Sequence, residues 1–153
     1  MLSMTATKSF TVDTNILIYS IDRSDPAKQQ VADKILRSLF LQRALLPLQA
    51  LNEFYHATTR KRLLTPAEAS AFVRDTLMFV VPVSSIQEDL LQATSLHKTG
   101  EYQFFDSLLM ATVARAGCST LFSEDLHDGR PYGSLTVRNP FKLSATELDA
   151  LLA

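Results

Sequence analysis

Short apolar runs alternate with longer stretches of helical periodicity along the chain. Phe10-Thr11-Val12 stops at Asp13-Thr14-Asn15, and apolar residues resume at Ile16-Leu17-Ile18. Asp, Thr and Asn side chains accept hydrogen bonds from the free N–H groups of a first helical turn, so this spacing predicts strand, tight turn, helix. Asp25-Pro26 predicts a second helix, with Pro as its first residue, running to about Phe40. Val31, Ile35, Leu36 and Leu39 then share one apolar face. Ala44 to Leu48 predicts a short strand with Pro47 near its end, and Leu51, Phe54, Tyr55 and Thr58 recur at helical spacing up to the basic run Arg60-Lys61-Arg62. Thr65-Pro66-Ala67-Glu68 is a capping box opening a helix to about Phe79. After the apolar run Val80 to Val83, Ser85-Ile86-Gln87-Glu88 reads as a second capping box, opening a helix that stops near Gly100. A further helix is expected from Phe104 to Ala116, with Gly117 as its C-terminal stop. Ser119 to Phe122 and Leu135 to Val137 predict strands, and Ser144-Ala145-Thr146-Glu147 caps a last short helix carrying Leu148, Leu151 and Leu152.

Strand alternating with helix predicts a three-layer α/β/α fold around a central, mostly parallel sheet of four to five short strands. No repeat, low-complexity stretch or linker interrupts the chain, so residues 1–153 are expected to form a single domain with its core over about 9–141 and a C-terminal helix over about 145–152. Composition agrees: 46% hydrophobic and 20% charged residues suit an ordinary globular chain. One cysteine, Cys118, rules out an intramolecular disulfide, and with three histidines that lack ligand spacing the chain does not read as a zinc site; a reducing, cytoplasmic setting is the expectation. No apolar run reaches the ~18 residues of a membrane span. Met1 to Lys8 is mixed and polar, unlike a secretory signal. A net charge of −1 gives no bulk attraction to nucleic acid, so any phosphate binding must come from local patches or bound cations.

Ligands of open α/β sheets bind beyond the carboxyl ends of the strands. Asp13 and the Ser123-Glu124-Asp125 turn each directly follow a strand candidate, so parallel, central strands would present both acids at one sheet edge. Taken singly, Asp13 could be a helix cap and Asp125 a turn former. Asp106 shares a helical face with Leu109, Met110 and Val113, where an unpaired carboxylate costs several kcal/mol in order of magnitude; an N-terminal position on the helix softens that cost. Glu53, in Leu51-Asn52-Glu53-Phe54, reads alone as a solvated helix residue. His56, His97 and His127 have no ligand spacing.

At these residues the sequence resembles the PIN-domain ribonucleases, and among them the VapC-type toxins of VapBC toxin–antitoxin pairs. Four motifs carry the resemblance, in family order: Val12-Asp13-Thr14-Asn15-Ile16-Leu17, Leu51-Asn52-Glu53-Phe54, Phe105-Asp106-Ser107-Leu108-Leu109, and Ser123-Glu124-Asp125-Leu126-His127-Asp128-Gly129. The resemblance implies a metal-dependent endoribonuclease in which Asp13, Glu53, Asp106 and Asp125 form the acidic quartet and Asn15 and Ser123 support it. It leaves Asp128 as a neighbour that the family does not require. Because the implied ligands are all oxygen, Mg²⁺ or Mn²⁺ is favoured over zinc. It further implies a transfer- or ribosomal-RNA substrate, cleavage leaving a 5′-phosphate and a 3′-hydroxyl, a homodimer, and a VapB-type antitoxin partner; the apolar C-terminal helix at Leu148 to Leu152 is a candidate for contact surface. Arg60, Lys61, Arg62 and Arg130 are the candidate substrate-binding cations, with Arg23 and Lys98 beside them. Three alternatives stay open. A haloacid dehalogenase-type phosphatase needs a second acid two residues after the first and meets Asn15 here. A PIN nuclease of RNA maturation or decay would work without an antitoxin, and a non-catalytic PIN module would bind RNA or protein.

Overall fold

The structure, a computed structural model, describes residues 9–153, and the polar Met1–Lys8 segment lies outside the described residues. Its elements run β1 (Phe10–Val12), α1 (Thr14–Ile21), α2 (Pro26–Leu41), β2 (Leu45–Pro47), α3 (Leu48–Arg60), α4 (Pro66–Leu77), β3 (Val81–Val83), α5 (Gln87–His97), α6 (Phe104–Arg115), β4 (Thr120–Phe122), β5 (Pro131–Tyr132), β6 (Leu135–Arg138), a 3₁₀ turn at Pro140–Lys142, and α7 (Ala145–Leu152). The main sheet has the order β1-β4-β6-β5, parallel except for β5, which returns antiparallel on β6. β2 and β3 form a separate parallel pair. That pair lies beside β1, where the Thr11 hydroxyl donates to the Leu45 carbonyl at 2.7 Å.

Alternation along β4 sends side chains to two cores. Phe122 joins Phe10 and Val12 against α1, α2 and α3, while Leu121 faces Leu109, Met110 and Val113 of α6 with Leu135 and Val137 of β6. The sheet is therefore the middle of three layers. No described helix is long and apolar enough to cross a membrane.

Several local expectations are met with identifiable chemistry. Asp25 caps α2 with Pro26 at its first position, and Thr65 and Glu68 form a reciprocal capping box on α4. Gly117, at φ +95°, ends α6: its N–H donates to Ala114 and that of Cys118 to Val113, the bond pair that closes a helix on a left-handed residue.

Two expectations are corrected, and one strand had no readable signal. The cap of α5 is shifted by one residue, because Asp89, not Glu88, reaches back to the Ile86 N–H at 2.9 Å. Asp89 is 2% exposed and also accepts two bonds from Arg115 Nε of α6, so the inter-helix pair selects the register, and the Ser85 hydroxyl turns instead to Thr112. The C-terminal helix is not spare surface, since Leu148 and Leu152 are buried in the first core beside α2. β5 went unread because Pro131-Tyr132 is only two residues long and pairs through a turn at Gly133.

Candidate active site

The parallel register of β1 and β4 aligns Val12 with Phe122, and the ladder continues one step as the Asp13 N–H donates to the Phe122 carbonyl at 2.9 Å. Asp13 and Ser123 consequently leave the same sheet edge side by side. Ser123 Oγ donates to Asp13 Oδ2 at 2.8 Å, and Asp13 Oδ1 accepts from the Thr14 N–H at 2.7 Å. Asp13 is thus both a helix cap and a buried acid at the carboxyl edge of the sheet, 7% exposed.

Asn15, in the first turn of α1, cross-links this edge to the Ser123–Asp125 turn. Its Nδ2 donates to Asp125 Oδ2 at 3.1 Å and to Ser123 Oγ at 3.3 Å, with a long contact of 3.5 Å to Asp13 Oδ2. Its Oδ1 accepts from the Glu124 N–H at 3.2 Å, which fixes which way the amide faces. Ser123 Oγ also accepts from the Asp125 N–H at 3.2 Å, so its proton and both lone pairs are used.

The other two acids arrive on helices. α3 begins at Leu48, so Glu53 sits in its second turn, exposed to solvent yet held at both ends of its carboxylate: Thr14 Oγ1 donates to Oε2 at 2.9 Å and Gln49 Nε2 to Oε1 at 3.0 Å. Asp106 is in the first turn of α6, partly buried, where the helix dipole favours an anion.

The acids sense one another. Burial, first, and then the charges of Glu53 and Asp106 push the Asp13 carboxyl up from 3.8 to about 6, against the hydrogen bonds from Ser123 and Thr14 that lower it. Burial, then Glu53 and Asp125, raise Asp106 as well. Among the described residues no Lys, Arg or His forms an ion pair with any of the four. As the side chains stand, no group of three acids, imidazoles or thiols among the described residues is close enough to grip one ion. Asn15 bridges Asp13 and Asp125, and mutual repulsion among the acids opposes closer approach. By donor chemistry the set nonetheless fits a hard divalent cation: it offers carboxylate oxygens, no competing ammonium or guanidinium, and a buried acid lacking a positive partner.

Residues that sequence reasoning missed complete the frame. Lys28 Nζ donates to both oxygens of Glu124 at 2.9 Å, and Tyr19 Oη to Oε1 at 3.1 Å, so α1 and α2 clamp the turn that bears Asp125. Thr14 and Gln49 are the equivalent supports of Glu53. Gln49 had a readable signal, its i, i+4 spacing to Glu53; the Lys28–Glu124 contact spans 96 positions and had none.

Arg60, Lys61 and Arg62 are exposed at the C-terminal end of α3, about 10 Å along the helix axis from Glu53 at 1.5 Å per residue. Arg130 is paired with Glu101 and lies over the Tyr102 ring, while Arg23 and Lys98 are exposed. Asp128 accepts from the Asn139 N–H at 2.7 Å and faces Arg138, which makes it a bracket for the end of β6. His56, His97 and His127 are all exposed.

A sequence profile of the PIN domain matches residues 10–127, the span that holds all four acids. No curated protein matches the chain in sequence. Solved structures share the fold: DNA-bound VapBC from Salmonella typhimurium (TM-score 0.61, 14% identity, covering 86% of this chain and 98% of that one), the Sarcin-Ricin loop cleaving toxin VapC20 of Mycobacterium tuberculosis (0.58, 17%, 76% and 90%), and FitAcB from Neisseria gonorrhoeae (0.56, 19%, 88% and 99%). With its profile match spanning most of the sequence and its fold shared with these structures, the chain belongs to the PIN domain family.

Proposed function

We propose that this protein is a divalent-cation-dependent endoribonuclease and the toxin half of a toxin–antitoxin pair. The observation that carries the reading is the convergence of Asp13, Glu53, Asp106 and Asp125 without a basic partner: the charges of Glu53 and Asp106 help raise Asp13, and those of Glu53 and Asp125 help raise Asp106. Such a cluster has no structural reward of its own, since four acids at a sheet edge repel. The similarity of the fold to VapC20 and to the VapBC complexes supports the choice of RNA as substrate and of an antitoxin as partner.

Asp13 and Asp106 would be the principal ligands of Mg²⁺ or Mn²⁺, with Glu53 and Asp125 ligating or orienting the attacking water. The bound cation would supply a lowered water pKa and charge stabilisation at the phosphoryl oxygens. The protein's own part is orientation. Ser123 and Thr14 keep Asp13 aimed, Asn15 keeps Asp125 beside it, and Thr14 and Gln49 present Glu53. No serine or cysteine nucleophile is required. Cys118 is buried, and burial pushes its thiol up to about 11, where it is inert. The exposed run Arg60, Lys61 and Arg62 would meet the RNA backbone away from the scissile phosphate. Leu77, Met78, Phe79 and Val81, exposed in close succession, provide apolar surface of the kind a second copy or an antitoxin covers.

Incubation of the purified protein with RNA tests the reading. Cleavage is expected to require Mg²⁺ or Mn²⁺, to stop on chelation with EDTA, and to leave 5′-phosphate and 3′-hydroxyl ends; activity undiminished in EDTA would refute it. Phe105, next to Asp106 and 63% exposed, offers an unpaired base a stacking face. Phe105→Ala is expected to raise KM for a single-stranded oligonucleotide about tenfold with kcat little changed. Phe105→Trp should restore KM and Phe105→Leu should not; equal recovery by both would rule out base stacking on this ring.

A further inference from the structure

Gln49 sits one turn before Glu53, and its amide is the only hydrogen-bond link between α3 and α6 among the described residues. Nε2 donates to Glu53 Oε1 at 3.0 Å and to the carbonyl of Phe105, the residue before Asp106, at 3.1 Å. Its Oε1 is the one buried side-chain oxygen or nitrogen without a hydrogen-bond partner among the described residues. Turning the amide over would aim that oxygen at two acceptors, so the orientation is set by chemistry. A buried, unpaired carbonyl opposes folding, and a leucine of similar size would avoid the cost. Stability alone therefore does not account for glutamine here; the two bonds its other end makes do.

Those bonds join two acids. Thr14 ties Glu53 to the first residue of α1, beside Asp13, and Gln49 ties it to the first turn of α6, which bears Asp106. We propose that Gln49 is a positioning residue that sets the spacing of Glu53 and Asp106 and, through it, the affinity of the acid cluster for its divalent cation. The inference rests on the nuclease reading above, and partners that orient metal ligands govern affinity by roughly 10–100-fold when removed.

Gln49→Leu keeps the volume and removes both donors. Mn²⁺ binding measured by calorimetry is expected to weaken about 10–100-fold, while the melting temperature in EDTA stays level or rises as the unpaired carbonyl goes. A purely structural glutamine would give the reverse, a lower melting temperature with unchanged affinity. Gln49→Asn, one methylene too short to span both acceptors, should weaken binding in the same direction and serves if the leucine variant folds poorly. Affinity within twofold of wild type in either folded variant overturns the proposal. Asp13→Asn separates this failure from a wider one. If wild type binds Mn²⁺ and Asp13→Asn does not, a silent Gln49 variant sinks only the strut. If wild type takes up no cation, the acid-cluster reading falls and takes the strut with it.

Discussion

Asp13→Asn and Asp106→Asn are each expected to reduce Mg²⁺-dependent RNA cleavage by roughly a thousandfold or more while leaving the protein folded. A divalent cation contributes several kcal/mol of transition-state stabilisation, and each ~1.4 kcal/mol is a factor of ten in rate. An amide has nearly the shape of a carboxylate but none of its charge, so the cation loses an anchor without a cavity opening in the core. Asp13 has the larger expected effect, because it is the buried member of the cluster and is contacted by Ser123, Thr14 and Asn15 together. Single-turnover cleavage of a labelled oligonucleotide, with circular dichroism as the control for folding, measures it. Either folded variant cleaving within tenfold of wild type would remove that residue from the mechanism.

The same substitution has an opposite effect on stability. The Asp13 carboxyl is raised in the fold to about 6, so its neutral form is the one the fold favours. Its contribution is fully present below the unfolded carboxyl's ordinary 3.8 and is lost as pH rises through about 6. A shift of about two units corresponds to roughly 2–3 kcal/mol between pH 4 and pH 7. In EDTA, wild type should therefore lose that amount relative to Asp13→Asn across this window, since the amide does not titrate. At pH 7 the variant should melt a few degrees higher; the gain is trimmed to about 1 kcal/mol because Asn cannot accept from both Thr14 and Ser123. Parallel pH curves for the two proteins, measured by denaturant titration, would show that Asp13 carries no such penalty. Saturating Mg²⁺ should reverse the order by stabilising wild type alone.

Much of this arrangement was legible in the sequence, for local reasons. A strand that breaks at Asp-Thr-Asn, a helix stopped by glycine and a capping box are all short-range chemistry, and β1, α1, α4 and the end of α6 follow them. Asp13 was ambiguous between cap and functional acid because it is placed to do both. What escaped was long-range. The Asp89 cap displaced the expected one because Arg115, 26 residues on, holds that carboxylate. The C-terminal helix looked idle until α2 supplied its partner. Glu53 read alone as solvated, and by exposure it is; the family motif, not its local pattern, grouped it with the other acids, and the bond that ties it to α1 comes from Thr14, 39 residues earlier.

The pairing of β1 with β4 joins positions about 110 apart, and Asp125 lies beyond the second of them. A nascent chain carries Asp13 and Glu53 early, but the ladder that brings Asp125 to them cannot close until β4 has left the ribosome, and Ser123 is braced only once Arg138 accepts its N–H. A product terminated before β4 would lack the proposed acid cluster altogether. On the ribonuclease function proposed above, this chain order ties activity to translation: cleavage can begin only once β4 and β6 have both been made and paired.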